Sequence, residues 1–245
     1  MLARIILAFV VLFSTTAWAK DVELSWEKAD VYVPDRWFPR STAVELDKKY
    51  PVVVYLHGCT GPWPQHDNFW AEDFKALGYV TIQLNSFARP NRIANCDPKR
   101  SRGNSQFPQA YEYRQQEIDY AMGQLRKLPW VDQDRIVLVG FSEGGIAAAQ
   151  TTQRFRAVVI LGWTCTHQWQ YSYLDGVKSP KDVPILAVAF TDDVWRKGTL
   201  VEGRCASRAP DHMITQIDLP GAGHEVHSSD LGRRSVLEFL KAQLK

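Results

Sequence analysis

Several things are scarce in this chain, and each shortage removes a class of function. No apolar run is long enough to cross a bilayer: the stretch from Ile5 to Phe13 falls far short of the roughly 20 residues a spanning helix needs. Neither charge sign dominates. Lys and Arg number 29 against 27 Asp and Glu, and the resulting net charge of +2 gives no electrostatic case for binding nucleic acid or an anionic membrane surface. The four cysteines include no C-x-x-C pair and no tight Cys/His cluster, so they do not read as a zinc site, and no other metal site is expected. Internal repeats and low-complexity tracts are absent as well. What remains is an ordinary globular composition in 245 residues, enough for one domain with a large core and too few for two full catalytic domains.

The first residues stand apart. Arg4 is the only charge before Lys20; the apolar run is followed by Ser14-Thr15-Thr16 and then Ala17-Trp18-Ala19. A positive start, a short apolar stretch and a small-x-small ending read as a secretory signal cleaved after Ala19, with a retained N-terminal anchor as the competing reading. Residues 1–19 are thus expected to be a signal peptide and residues 20–245 the mature domain, periplasmic or secreted. No cysteine lies near the cleavage point, which argues against lipid attachment there and leaves no stable membrane anchor. Export makes disulfides among Cys59, Cys96, Cys165 and Cys205 plausible. Four cysteines allow three pairings, and free buried thiols are the alternative.

Along the chain, apolar β-branched runs alternate with amphipathic ones, which points to a mostly parallel, doubly wound sheet flanked by helices. Strands are expected at Val22–Trp26, Val31–Val33, Pro51–Leu56, Tyr79–Leu84, Arg135–Val139, Ala157–Leu161, Pro184–Phe190 and Ile214–Leu219. Helices are expected at Asn68–Leu77, with Asp67 as N-cap and Gly78 as stop, at Tyr111–Leu128, Ile146–Gln153 and Ser228–Leu244. Between Asn85 and Pro108 lies a long polar segment, a length that in a compact domain often marks function.

The strongest signal is Gly140-Phe141-Ser142-Glu143-Gly144, directly after an apolar strand and at the start of a helix. By composition alone a chain of this length would contain such a G-x-S-x-G only about 0.1 times. In this context it reads as a nucleophile elbow, a sharp turn that lifts the Ser142 hydroxyl above the sheet, with glycine on either side where a Cβ would clash. A glycine-rich structural turn is the bland alternative. A serine hydroxyl needs a base, and Gly221-Ala222-Gly223-His224 follows the last strand. His224 is the expected base, with His227 as competitor, expected on the closing helix. The imidazole needs a carboxylate to fix its tautomer. Asp192-Asp193 follows the strand ending at Phe190, and Asp193 is favoured over Asp192. A developing oxyanion must be met by backbone donors. The amide of Glu143 is one; the other is expected from His57-Gly58-Cys59-Thr60-Gly61, with Cys59 favoured and Thr60 the alternative. His57 itself is expected to brace that loop.

Together, Leu56-His57-Gly58, Asn85-Ser86-Phe87, Trp130–Ile136, Gly140–Gly145, Asp192-Asp193 and Gly223-His224 resemble the dienelactone hydrolase family of α/β-hydrolases, from about Pro51 to Leu240, and in particular its exported members. The resemblance implies a Ser-Asp-His triad of Ser142, Asp193 and His224, no cofactor, and hydrolysis of a small-molecule or polymeric ester, a lactone or a related acyl bond. The namesake enzymes carry cysteine at the position of Ser142 and are not exported. The His57–Thr60 stretch also looks like the oxyanion loop of exported polyester depolymerases and feruloyl esterases, in which the cysteine tends to be disulfide-bonded.

Cys59 and Cys96 follow neighbouring strands, and Cys165 and Cys205 follow two others, so the expected bridges are Cys59–Cys96 and Cys165–Cys205 on the active-site side of the sheet. Trp63, Trp163, Trp169 and Trp195 also fall after strand ends on that side. Core packing under long loops is the favoured reading for them, and a flat apolar pocket is the other. Arg89, Arg92, Lys99, Arg100 and Arg102 of the long loop are expected to be solvated, with a substrate-carboxylate site as the alternative. A serine peptidase or amidase on the same triad, and an inactive α/β-hydrolase fold acting as a binding protein, are the competing functions.

Overall fold

The computed structural model describes residues 21–92, 94, 96, 107–167, 169–195 and 203–245; the expected signal peptide and Lys99, Arg100 and Arg102 lie outside them. Among these residues the strands are β1 (Asp30–Tyr32), β2 (Tyr50–Leu56), β3 (Val80–Leu84), β4 (Val131–Phe141), β5 (Ala157–Leu161), β6 (Ile185–Phe190) and β7 (Ile214–Leu219). The helices are α1 (residues 21–27), α2 (Pro64–Ala76), α3 (Phe107–Leu125), α4 (Glu143–Gln150), α5 (Cys205–Arg208) and α6 (Asp230–Ala242). The strands form one sheet in the order β1-β3-β2-β4-β5-β6-β7, in which only β1 runs antiparallel to its neighbour.

The central strands are apolar on both faces because both faces are covered. Val52, Val54 and Leu56 of β2 join Ile136 and Leu138 of β4 in a core beneath α3 and α4. Val53, Tyr55, Val137, Val139 and Phe141 point the other way, into a second core with Trp70 and Phe74 of α2 and Val236 and Leu240 of α6. Alternation of side chains along each strand divides the two sets. Since β2 to β7 are mutually parallel, their C-terminal ends line one edge of the sheet. The chain goes from β2 outward to β3 on one side and to β4 on the other. The C-terminal ends of β2 and β4 therefore flank the point where strand order reverses, where open α/β sheets place their binding crevice.

Two expectations are corrected here. Val22–Trp26 is helical, although V-E-L-S-W alternates like a strand. Its buried residues are Ser25 and Trp26, and Ala29, just beyond the helix, is buried one helical turn after Ser25. The Ser25 hydroxyl bonds back to the carbonyl of Val22, and Asp21 is held by Arg89. Tertiary packing overrides the local pattern in so short a segment. Asp67 is not the N-cap of α2: the helix starts earlier, after Trp63, with Pro64 in its first turn, where the missing N–H costs nothing. Asp67 reaches back from inside to accept the Trp63 amide at 2.8 Å. Gly78, at φ +92°, follows the C-cap Leu77 as the expected stop.

Both expected disulfides are present, with Cα–Cα separations of 5.5 Å for Cys59–Cys96 and 4.7 Å for Cys165–Cys205. Cys165–Cys205 closes a loop of 40 residues, enough to cost the unfolded chain about 2–4 kcal/mol of freedom. The double substitution C165A/C205A is expected to lower unfolding free energy by that amount in urea titration, with a somewhat steeper slope on denaturant because the unlinked unfolded chain exposes more surface; an unshifted midpoint would contradict the assignment.

Candidate active site

β4 ends at Phe141, and α4 begins at Glu143 with no loop between them. The single residue at the turn, Ser142, has φ 54° and ψ −115°. An L-residue is held there only by its surroundings. Three contacts hold it: the Ser142 amide donates to the Leu161 carbonyl at 2.8 Å, the Ser142 carbonyl accepts from Ile146, and the flanking glycines let backbone meet backbone. A Cβ on Gly140 would lie 2.1 Å from the Gly144 carbonyl oxygen, and one on Gly144 would lie 2.2 Å from that of Leu56. Both glycines are therefore steric requirements of the turn, as the sequence pattern implied.

His224 follows β7 and Asp193 follows β6, so parallel neighbours deliver both to the same edge as Ser142. His224 Nε2 lies 2.9 Å from Ser142 Oγ, and His224 Nδ1 lies 2.7 Å from Asp193 Oδ2. With a carboxylate at Nδ1, that nitrogen carries the proton and Nε2 presents its lone pair to the hydroxyl. Asp193 is fully buried, and its other oxygen accepts the Trp195 amide at 2.9 Å. Asp192 is exposed, and its backbone amide donates to the Gly221 carbonyl. His227 sits in a 3-10 turn, Val226–Ser228, ahead of the closing helix rather than on it. Its ring packs edge-on against His66 at 4.3 Å, and burial followed by the His66 neighbour lowers its pKa to about 4.

The loop after β2 lies against the elbow. A Cβ on Gly58 would stand 3.6 Å from that of Ser142, and the Gly61 amide closes a turn onto the Gly58 carbonyl. The disulfide of Cys59 ties this loop to the segment after β3. His57 has both ring nitrogens engaged: Nε2 accepts the Ser86 amide at 3.2 Å, which leaves the proton on Nδ1 to donate to the Gly58 carbonyl at 2.7 Å. Burial first, and the Arg114 guanidinium second, push its pKa well below the usual histidine value. His57 is thus a neutral brace.

Beneath this loop lies a cluster the sequence reading missed. Arg89 and Arg92 are not solvated: both side chains are buried. Arg89 bonds Asp21 and the Tyr113 carbonyl, and lies near Glu117 and 3.7 Å over the Tyr113 ring. Arg92 bonds Glu143 and, at 2.9 Å, the Ser86 hydroxyl, which itself donates to Glu117. Arg114 and Glu117 of α3 complete the cluster. Their place was visible in principle, since Arg114 falls on the same helical stripe as Ile118, Ala121 and Leu125, all buried.

The tryptophans divide. Trp163 is buried in the core, as favoured, whereas Trp63 and Trp195 are 42% and 52% exposed. Trp63 stacks on His66, and the Trp195 ring lies 6.1 Å from that of His224. The Trp169 side chain lies outside what is described.

No family model matches the chain. Dipeptidyl-peptidase 5 of Porphyromonas gingivalis is 25% identical over 195 residues, which is 75% of this chain but 26% of that protein; the chain spans about a quarter of the relative's length. Among solved structures, a dienelactone hydrolase-like promiscuous phosphotriesterase from metagenomic libraries aligns with a TM-score of 0.58 and 15% identity, over 81% of this chain and 88% of that one. A thermophilic esterase of Thermogutta terrifontis aligns with a TM-score of 0.55 and 15% identity, over 88% and 86%. The fold is that of the α/β-hydrolases, as expected.

His57 gives the fold a defined acid sensitivity. Below pH 6.5 the unfolded chain takes up a proton that the folded chain refuses, so stability falls on acidification by up to about 1.4 kcal/mol per pH unit. Glu117, raised by burial, works in the opposite sense. Denaturant titrations from pH 7 to pH 4 should show His57→Asn with a shallower acid loss than the wild type, by about one proton; identical slopes would contradict a neutral buried imidazole.

Proposed function

We propose that the chain is a serine hydrolase that cleaves carboxylic esters or lactones through an acyl-enzyme. His224 Nε2 takes the proton of Ser142 Oγ as that oxygen attacks the carbonyl carbon. Asp193 orients the imidazole and stabilises its charged form. The tetrahedral oxyanion is received by the amides of Cys59 and Glu143. Collapse expels the alcohol, which takes the proton from His224. Water, deprotonated by the same imidazole, then releases the acid and regenerates Ser142.

The observation that carries this reading is the continuous chain from Asp193 through His224 to Ser142 at 2.7 and 2.9 Å, ending on a serine in a strained turn. The exposed Trp195 beside His224 favours a flat or apolar acyl or alcohol group over a charged one. The buried Arg89 and Arg92 have carboxylate partners already and do not favour an anionic substrate. The two disulfides suit an oxidising compartment and support the reading of the chain as exported.

A peptidase or amidase is the second reading, favoured by the name of the curated relative. That relative is matched over only 26% of its length, whereas the esterase structure is matched over 86%.

On a panel of p-nitrophenyl esters and the matched anilides, the mature chain is expected to hydrolyse esters with the higher kcat/KM. Preference for dipeptidyl anilides would favour the peptidase. Ser142→Ala should cost at least about 10³-fold in kcat, and Asp193→Asn a comparable factor, while Asp192→Asn stays near wild type. Full activity in Ser142→Ala would refute the mechanism.

A further inference from the structure

We propose that Arg114 is a positioning residue that fixes the two oxyanion-binding segments relative to each other. The proposal rests on the esterase reading above and concerns how its oxyanion site is held.

The two amides assigned to the oxyanion belong to separate pieces of chain. Cys59 follows β2, and Glu143 opens α4 after β4. Nothing in the covalent chain sets their spacing, yet donors to an oxyanion must converge to within about 2.7–3.1 Å of one point. Arg114, from a third element, α3, bonds both pieces at once. Its Nη2 donates to the His57 carbonyl at 2.8 Å and the Gly58 carbonyl at 3.3 Å, and its Nε donates to Glu143 Oε1 at 3.2 Å. The side chain is fully buried, so no water competes for these donors.

Peptide planarity turns this into control of direction. The carbonyl of Gly58 and the amide of Cys59 belong to one peptide unit and point opposite ways. Drawing the Gly58 carbonyl onto the guanidinium therefore aims the Cys59 N–H away from Arg114. On the other side, the Glu143 carboxylate is held by Arg114 and Arg92 together, which fixes the residue whose own amide is the second donor. A guanidinium suits this task because its planar fork presents donors in fixed directions, which an ammonium does not.

Burying three arginines and two glutamates is a poor way to gain stability, since apolar residues of similar volume often do as well or better. That cost makes sense where the charges hold a geometry that apolar packing would leave loose. The division of labour within the cluster agrees. Arg89 bonds Asp21, the Tyr113 carbonyl and Gln116 and lies near Glu117, but among its bonds none is to His57, Gly58 or Glu143. Arg114 bonds all three.

The test compares Arg114→Lys, Arg114→Met and Arg89→Met in the mature, disulfide-bonded protein. Each is followed by thermal unfolding, by kcat and KM on a p-nitrophenyl ester, and by the inhibition constant of an aryl boronic acid, whose tetrahedral adduct with the serine places an oxygen at the oxyanion position. For Arg114→Met the proposal expects kcat to fall by about 10²-fold, KM to stay within threefold, and boronate affinity to fall by a factor similar to that in kcat. Arg114→Lys should recover part of both. Arg89→Met should lose thermal stability while keeping kcat and boronate affinity. If Arg114→Met does not fold, Arg114→Lys and Glu143→Gln carry the comparison, with losses confined to kcat and boronate affinity.

The proposal is overturned if the Arg114 variants keep wild-type kcat, if they raise KM alone, or if Arg89→Met loses kcat in the same proportion to its lost stability. A wild-type protein inert toward esters and toward a fluorophosphonate probe would instead sink the esterase reading itself, which separates the two failures.

Discussion

Ser142 occupies a conformation, φ 54° and ψ −115°, that its side chain disfavours, and the surrounding structure is arranged so that it has no alternative. The turn is clamped by backbone on every side: the Leu161 carbonyl takes its amide, Gly140 packs on the Gly144 carbonyl, and Gly144 packs on the Leu56 carbonyl. Strands β2, β4 and β5 must all be in register for those contacts to exist. The same register brings the ends of β6 and β7 to the edge where Asp193 and His224 can line up behind the hydroxyl. The strain at one residue is thus offset by the burial of an entire sheet.

What could be read from the sequence follows from this. Steric rules act locally, so Gly140, Ser142 and Gly144 were legible as a turn before any coordinates, and the apolar runs of β2 and β4 to β7 gave the parallel sheet. His224 was legible because a loop after the last strand has few places to go. The choice of Asp193 over Asp192 agrees with burial, but adjacent carboxylates differ only in which one the fold turns inward. The misread segment, Val22–Trp26, is five residues with strand-like alternation, too little for local pattern to prevail against Arg89 holding Asp21 and the core taking Trp26. Arg89 and Arg92 looked solvated because charge in a long polar loop usually is. Their burial depends on Glu117 and Glu143, which are distant in sequence and identifiable as partners only once α3 is packed on the sheet.

The edge of the sheet that carries the site is held by two kinds of device. Disulfides fix the loops in the plane above it, Cys59–Cys96 on the side of β2 and β3 and Cys165–Cys205 beside β5 and β7. Beneath the Cys59 loop, the charge cluster around Arg114 and Glu143 fills the space between α3 and the elbow.

The most direct test of the account is whether an acyl group passes through Ser142. Rapid acid quench of the mature protein with an activated ester, followed by peptide mass spectrometry, should find the acyl mass on the peptide containing Gly140–Gly144, with the modification on Ser142. Turnover without any such adduct, or an acyl group trapped only on another residue, would contradict it.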